Sequence, residues 1–506
     1  MNRNIPVIDL FAGPGGLGEG FSSLKKKGHK VFQLKLSIEK DLFAYQTLLL
    51  RSIFRSFDSP PQCYYEYITG KISKSEFEVS RGIKEILIEA KNEAKNAVLG
   101  GINEEEIDKW IRSSIGKSDK WVLIGGPPCQ AYSTIGRAKM MNTDYEKYQK
   151  DKRHLLYQEY LRIIQVHRPP VFIMENVKGI LSSKLDGELI FNKIIKDLSF
   201  PKKGLNYEIR SLCVETDSED LIPKDFIIES EIYGMPQSRH RVILFGVRKD
   251  LASKKHSLLK VEKDFVTVRD ILSSLPRIRS KLSRQSDSRK DWIKNIQKTT
   301  SLIGSWKSDS RDKIIASMQE SQKLAQDLVT SGSNHIPNGL NQLLNNPLSS
   351  WLEDRKLDGV IQHESKSHIA GDIQRYFFLS NCAKILGRSP TLNELPKKLM
   401  PNHQNASSGC TKFLDRFRVQ IFDQPSTTIV SHIAKDGHYY IHPDPSQARS
   451  FTVREAARLQ TFPDNYFFEG PKTAQYSQVG NAVPPLLAKK IAEIVYEFLS
   501  FEVKKS

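Results

Sequence analysis

The chain has few cysteines, five in 506 residues, odd in number and irregularly spaced at Cys63, Cys129, Cys213, Cys382 and Cys410. That excludes a disulfide framework, and without a CxxC or Cys/His pair the sequence offers no zinc site. Long apolar runs are also missing, since none approaches the roughly 20 residues that span a bilayer. The first apolar stretch, in MNRNIPVIDLFAG, contains Asp9, so no signal peptide is expected. There is no internal repeat and no Pro-rich, Gly/Ser-rich or like-charged tract long enough to be a free linker. Acids are in deficit: 76 Lys plus Arg stand against 58 Asp plus Glu, a net charge of +18. A surplus of that size attracts polyanions and makes a nucleic acid the first partner to consider. With 39% hydrophobic residues the chain can bury a core, and its length suits two or three domains. A soluble, reduced, cytoplasmic protein is expected.

What is present is a rhythm. Residues 6–10 (PVIDL), 30–38 (KVFQLKLSI), 121–124 (WVLI), 171–174 (VFIM) and 241–247 (RVILFGV) read as strands, and helical patterns such as 155–166 separate them. Short apolar strands alternating with helices predict an α/β fold, a mostly parallel sheet covered on both faces. Residues 77–99 have helical spacing, and Asn103 before Glu104, Glu105 and Glu106 marks a capped helix start. From about 258 to 448 the rhythm dissolves into irregular segments richer in Ser, Asn and Pro. This predicts one domain made of 1–257 and 449–506, with a second, 258–448, inserted into it. The rhythm returns at Thr452 and Glu455, a capping box opening a helix to Gln460. Pro484 and Pro485 open a last helix.

Four places carry chemistry. The Gly-rich turn 9–18 (DLFAGPGGLG) follows a strand and precedes a helix, and Glu39 ends the next strand where it can accept hydrogen bonds from ribose hydroxyls. A dinucleotide or another ribose-bearing cofactor fits, and the turn does not decide between them. Cys129, in GGPPCQAYS, follows the third strand on the edge where open α/β sheets bind ligands, behind two stiffening prolines. The other four cysteines read as packing residues. Glu175, in MENV, ends the fourth strand on the same edge, where a carboxylate beside Cys129 reads as a partly desolvated acid. Arg239 and Arg241, in QSRHR, point the same way in an extended segment and give two guanidiniums on one face. His240 faces the other side and is given no chemistry.

FAGPGG, GGPPCQAYS, MENV, QSRHR, TVREAARLQTFPD and QVGNAVPP, in this order and spacing, resemble the motif series of the cytosine-C5 DNA methyltransferases of bacterial restriction–modification type. The resemblance covers about 1–250 and 420–506. It implies a Rossmann-like, S-adenosylmethionine-dependent methyltransferase domain with an inserted target-recognition domain, 258–448. Cys129 is implied as the nucleophile that adds to C6 of a flipped-out cytosine, and Glu175 as the acid that serves N3. Arg239 and Arg241 are implied to orient the base. Phe11, Gly13, Gly15, Gly16, Leu17, Glu39, Pro128, Leu156, Asn481 and Val483 are implied to border the cofactor, S-adenosyl-L-methionine, with no metal. The aspartate that usually meets the adenine amine is missing, because the nearest stretch, Gly100-Gly101-Ile102-Asn103, has no acid at that place.

The implied partner is double-stranded DNA, with a cognate restriction endonuclease acting on the same site if the enzyme belongs to a restriction pair rather than to another phage-defence system or to none; the enzyme is expected to be a monomer on DNA, away from membranes, in the bacterial cytoplasm and nucleoid. The same chemistry on tRNA is the near rival, against which the large insert speaks. A nicotinamide or flavin oxidoreductase leaves Cys129, Glu175 and the arginine pair without a role. An inert DNA-binding protein leaves the intact Cys/Glu/Arg set without one. In the insert, residues 277–298 hold eight Lys/Arg (277, 279, 281, 284, 289, 290, 294 and 298) against Asp287 and Asp291. That run is either a solvated face or a phosphate-contacting surface.

Overall fold

The strand runs at both ends of the sequence condense into one eight-stranded sheet. The computed structural model describes residues 4–101, 104–128, 153–185, 188–215, 220–304, 306–339, 346–401 and 414–500. Its strands are β1 (Ile5–Leu10), β2 (Phe32–Glu39), β3 (Ala94–Asn96), β4 (Val122–Gly125), β5 (Val171–Val177), β6 (Tyr207–Arg210), β7 (Ile227–Glu229) and β8 (His240–Arg248). The sheet order is β6-β8-β5-β4-β1-β2-β3, with β7 pairing β8. The pairs β1/β2, β1/β4, β2/β3 and β4/β5 are parallel, while β8 runs antiparallel to β5, β6 and β7.

Strand parity sorts the two faces. Ile8, Leu10, Leu36 and Ile38 share a core with Ile107 and Ile111 of helix Glu104–Ile115 and with Tyr160, Ile163 and Ile164 of helix Arg153–His167. On the other face Asp9 looks at Gly18 of helix α1 (Gly16–Ser23), and Phe245 meets Phe498 of the last helix, Pro485–Ser500, with ring centroids 5.6 Å apart. Both faces are thus covered, as the near-continuous apolar strands require. The five expected strands are present. β3 was not expected, because the helical spacing of 77–99 breaks at Gly82 (φ 81) and ends as a strand after helix Ile83–Glu93. Ala-Lys-Asn carries no β-branched or aromatic side chain, so an edge strand this short leaves no pattern to read. The cap expected at Asn103 lies outside the described residues; the helix there has its three glutamates in the first turn.

Residues 1–61, 78–264 and 482–506 form one compact unit, and 62–77 and 265–481 form a second. The boundaries differ from the rhythm-based ones because 449–481 and 62–77 pack with the second unit. Three fully buried arginines explain the first of these. Arg449 is bidentate to Glu455 (2.7 and 2.7 Å), Arg458 is bidentate to Asp464 (2.8 and 2.7 Å), and Arg454 donates to the carbonyls of Ile361, Pro463 and Tyr466. In 62–77, Tyr64 and Tyr65 donate to the Asn465 carbonyl and to Asp354.

The Thr452–Glu455 capping box forms as expected, opening helix Val453–Leu459. The irregular-looking region contains helices Arg289–Ile303, Arg311–Ala325 and Ala370–Leu386, whose Trp292, Met318, Tyr376 and Phe378 build the core of the second unit. Lys, Gln and Ser between the core positions of the first two of these helices hid their periodicity. Among the described residues no helix is long and apolar enough to cross a membrane.

Candidate active site

Register brings the motifs to one edge of the sheet. Leu10 pairs with Ile38 and Gly125, and Gly125 pairs with Met174, so the glycine turn, Glu39 and the Gly126–Pro128 loop stand at the C-terminal ends of adjacent parallel strands, while Glu175, expected to end its strand, lies inside β5 two residues before its end. Arg241, paired with Val177, brings the start of antiparallel β8 to the same edge.

The turn after β1 is built on left-handed backbone: Phe11 at φ 56, Gly13 at φ 57 and Gly15 at φ 95, the last capping α1. A Cβ at Gly13 would meet no atom within 4 Å, so the backbone there faces open space. Gly16 is glycine for the opposite reason, since a Cβ would stand 2.1 Å from the Val483 carbonyl oxygen. Val483 therefore reaches the turn through its backbone, while Leu17 is buried. The Gly13 N–H donates to Glu39 Oε2 and the Asp41 N–H to Oε1, both at 2.8 Å. Burial raises the affinity of Glu39 for a proton, and these two donors oppose it. The carboxylate is thus oriented beside the glycine turn. Next to it, Asn96 of β3 is registered opposite Glu39. Its Nδ2 donates to the Glu39 and Lys40 carbonyls at 3.0 and 3.1 Å, which leaves Oδ1 as an acceptor. No motif marked Asn96; only the unexpected strand does.

At the β4–β5 side, the Glu175 carboxylate lies against the β4 loop, where a Cβ at Gly126 would be 2.9 Å from Oε2. Arg241 Nε meets Glu175 Oε1 at 2.9 Å. Arg241 is largely buried, and burial lowers its affinity for its proton more than the neighbouring Glu175 raises it. Asn176 Nδ2 donates to the Pro127 carbonyl at 3.4 Å while its Oδ1 accepts from Val177 N–H at 2.8 Å, so this asparagine ties the proline loop to β5. Sequence reasoning passed over Asn176, although its place in ENV was visible.

Arg239 is 2% exposed and its backbone N–H is held by Ser230 Oγ at 2.9 Å. His240 pairs with Glu231 at 2.8 Å. Pro128 and Leu156 are half-buried. Asn481 ends the helix Lys472–Asn481 in the second unit. Cys129 lies outside the described residues, as does residue 103 at the end of the 100–103 stretch that lacks an acid.

Behind the turn, Asp9 is 1% exposed and both its oxygens lack a hydrogen bond of good geometry; Ser37 Oγ, on its register partner, lacks one too. Burial pushes the Asp9 carboxyl up from 3.8 to about 8, with Arg55 lowering it and Glu39 raising it. Between those two values the unfolded chain has released a proton that the folded chain retains. Stability is therefore highest below pH 3.8 for this group and is lost as pH rises to about 8. Asp9→Asn removes that loss. In paired thermal unfolding curves the variant gains little over the parent at about pH 4 and progressively more up to about pH 8, with an upper bound on the order of 5 kcal/mol. A difference that does not change with pH contradicts this assignment.

The C-5 cytosine-specific DNA methylase family matches residues 77–497 of the chain. A type II methyltransferase of Bacillus paralicheniformis is 32% identical, with 98% of this chain and 99% of that protein covered. A DNA (cytosine-5-)-methyltransferase of Aeropyrum pernix is 26% identical over 79% of this chain and 86% of its own length. Among solved structures, a prophage-encoded DNA modification methyltransferase of E. coli shares the fold at a TM-score of 0.51 and 20% identity, covering 98% of this chain and all of that one.

Proposed function

Since the chain belongs to the C-5 cytosine-specific DNA methylase family, as a DNA (cytosine-5-)-methyltransferase with a Rossmann-like methyltransferase fold, we propose that it methylates a flipped-out cytosine in a specific duplex sequence through a covalent bond from Cys129 to C6. The observation that carries this reading is the meeting, at one sheet edge, of the Gly13–Glu39 pocket with the Glu175–Arg241 pair packed on the loop that leads into Cys129. The carbonyl of Pro127, in that loop, is held by Asn176.

The residues fit S-adenosylmethionine. Open space lies before Gly13, the turn is left-handed, and an oriented carboxylate suits ribose hydroxyls. When bound, that group supplies a methyl on a sulfonium, an electrophile for a carbon nucleophile. Phe11, Gly15, Gly16, Leu17, Pro128, Leu156 and Val483 complete the proposed border. Asn96 Oδ1 offers the adenine amine the acceptor that the missing aspartate would have given. Asn96→Leu then raises the KM for the donor about tenfold with kcat nearly kept, as expected for the removal of one hydrogen bond worth about 1.4 kcal/mol. An unchanged KM removes Asn96 from the site.

The Cys129 thiolate forms a bond to C6, and the C5–C6 electron pair is pushed into the ring as N3 takes a proton from Glu175. C5 of the resulting enamine is nucleophilic enough to accept the methyl. Loss of the C5 proton to water, return of the N3 proton to Glu175 and expulsion of the thiolate restore the aromatic base. Arg241 and Arg239 hold the base and the carboxylate in register. The second unit, which holds residues 265–448 of the expected insert, supplies target recognition, and the enzyme works as a monomer on DNA in the bacterial cytoplasm. It is the modification partner of a restriction endonuclease that reads the same site. Duplex oligonucleotides containing 5-fluorocytosine test the proposal, because fluorine does not leave as a cation and the covalent complex persists. Denaturation-resistant adducts are expected on duplex DNA in the presence of donor. Trapping on tRNA alone, or on nothing, overturns it.

A further inference from the structure

The basic run 277–298 is not one surface, because the fold divides its eight cations. Arg277 bonds Asp444 and Ser446 at 3.1 and 2.6 Å, and Arg279 is bidentate to Asp287 at 2.8 and 2.7 Å. Lys281 pairs with Glu364, and Arg289 donates to the carbonyls of Leu328 and Gln326. These four are engaged inside the second unit.

The remainder includes a pattern. Trp292, Ile296, Thr299 and Ile303 are buried and fix the rotation of helix Arg289–Ile303, so Lys290, Lys294 and Lys298 stand exposed at successive i, i+4 positions. Gln297 and Ser301, uncharged and exposed, share their stripe. The one acid on the helix, Asp291, is in its first turn, and none of the three lysines makes an ion pair among the described residues. Like charges at that spacing repel each other along the helix, a cost that an external polyanion relieves.

We infer that Lys290, Lys294 and Lys298 form a phosphate-tracking face that lies along the backbone of the duplex substrate. Successive lysines are about 6 Å apart along the axis and the three span about 12 Å. Phosphates of one strand follow every 3.4 Å or so of helix axis, so the roughly 12 Å stripe runs alongside about four consecutive phosphates, which three flexible ammonium groups reach without reading a base. Interactions of this kind give affinity and orientation and carry no sequence information. The inference rests on the DNA-methylating reading above and adds the place where the backbone lies.

The test replaces all three by glutamine and measures binding of a fluorescein-labelled duplex of unrelated sequence between about 50 and 200 mM KCl, beside methylation of a cognate duplex. The slope of log affinity against log salt is expected to become shallower by about 2.7, or about 0.9 for each phosphate no longer neutralised. Turnover at saturating DNA should keep its parental value, and the triple Lys→Arg variant should recover the parental slope. A glutamine variant with parental melting temperature and parental slope overturns the inference while leaving the enzyme a DNA methylase. Failure of the parent itself to bind or methylate any duplex overturns the DNA reading, a distinct result.

Discussion

Cys129→Ala yields no denaturation-resistant adduct on 5-fluorocytosine duplexes, and its methyl transfer falls by on the order of 10⁴-fold or more, the scale seen when a covalent nucleophile is deleted. Donor and DNA binding survive, because neither the Glu39 carboxylate nor the lysine face depends on the thiol. The size of the effect follows from the ring's electronics: without a sulfur–C6 bond, C5 remains part of an aromatic ring and has no electron pair to offer. Other cysteines are poor substitutes. Burial pushes the thiols of Cys213 and Cys382 up, away from the reactive thiolate. Mass spectrometry of the trapped peptide should place the pyrimidine on residue 129 in the parent. An adduct that persists in Cys129→Ala would transfer the role to another nucleophile and remove the central assignment.

How much of this was legible beforehand depended on which physical signal each part leaves. Strands β1, β4, β5 and β8 were readable because a sheet covered on both faces demands near-continuous apolar runs, and β2 because its apolar residues alternate with the exposed Gln33 and Lys35. The candidate residues followed from those runs: Glu39 ends β2 and Arg241 stands near the start of β8 on the same edge, while Glu175 lies two residues inside β5. β3 was illegible because its three residues bury only one small side chain, Ala94, and with it went Asn96. The second unit was illegible for a different reason: its buried surface is stitched by Arg449, Arg454 and Arg458, residues that composition counts as surface. No pattern of hydropathy marks an arginine that will set its charge against Glu455 or Asp464. The same blindness merged the basic run into one patch, when Arg277, Arg279, Lys281 and Arg289 are internal braces and Lys290, Lys294 and Lys298 form an exposed helical stripe.

Glu175→Gln is expected to slow methyl transfer by about 10²–10⁴-fold, the range for removing a positioned general acid, with DNA affinity maintained. Glutamine fills the same space against Gly126 and keeps an oxygen facing Arg241 Nε, so the loop packing is preserved. What it cannot do is give a proton to N3. Addition of sulfur to C6 sends charge onto N3, and with no proton there the adduct collapses back to thiolate and cytosine. Adduct formation on 5-fluorocytosine must therefore slow together with methylation, which separates an acid from a residue acting only after addition. The variant should also regain rate as pH falls, because protonation of N3 from solvent replaces the missing acid. A purely positioning role would leave the pH profile in its parental form and shift only amplitude. Removing the charge has a structural side, since it leaves the largely buried Arg241 guanidinium without its anion. Melting curves are thus part of the measurement, and Arg241→Gln combined with Glu175→Gln distinguishes the two effects. If the double variant recovers stability but not rate, the lost proton is the cause. Parental turnover in Glu175→Gln would remove the acid from the mechanism.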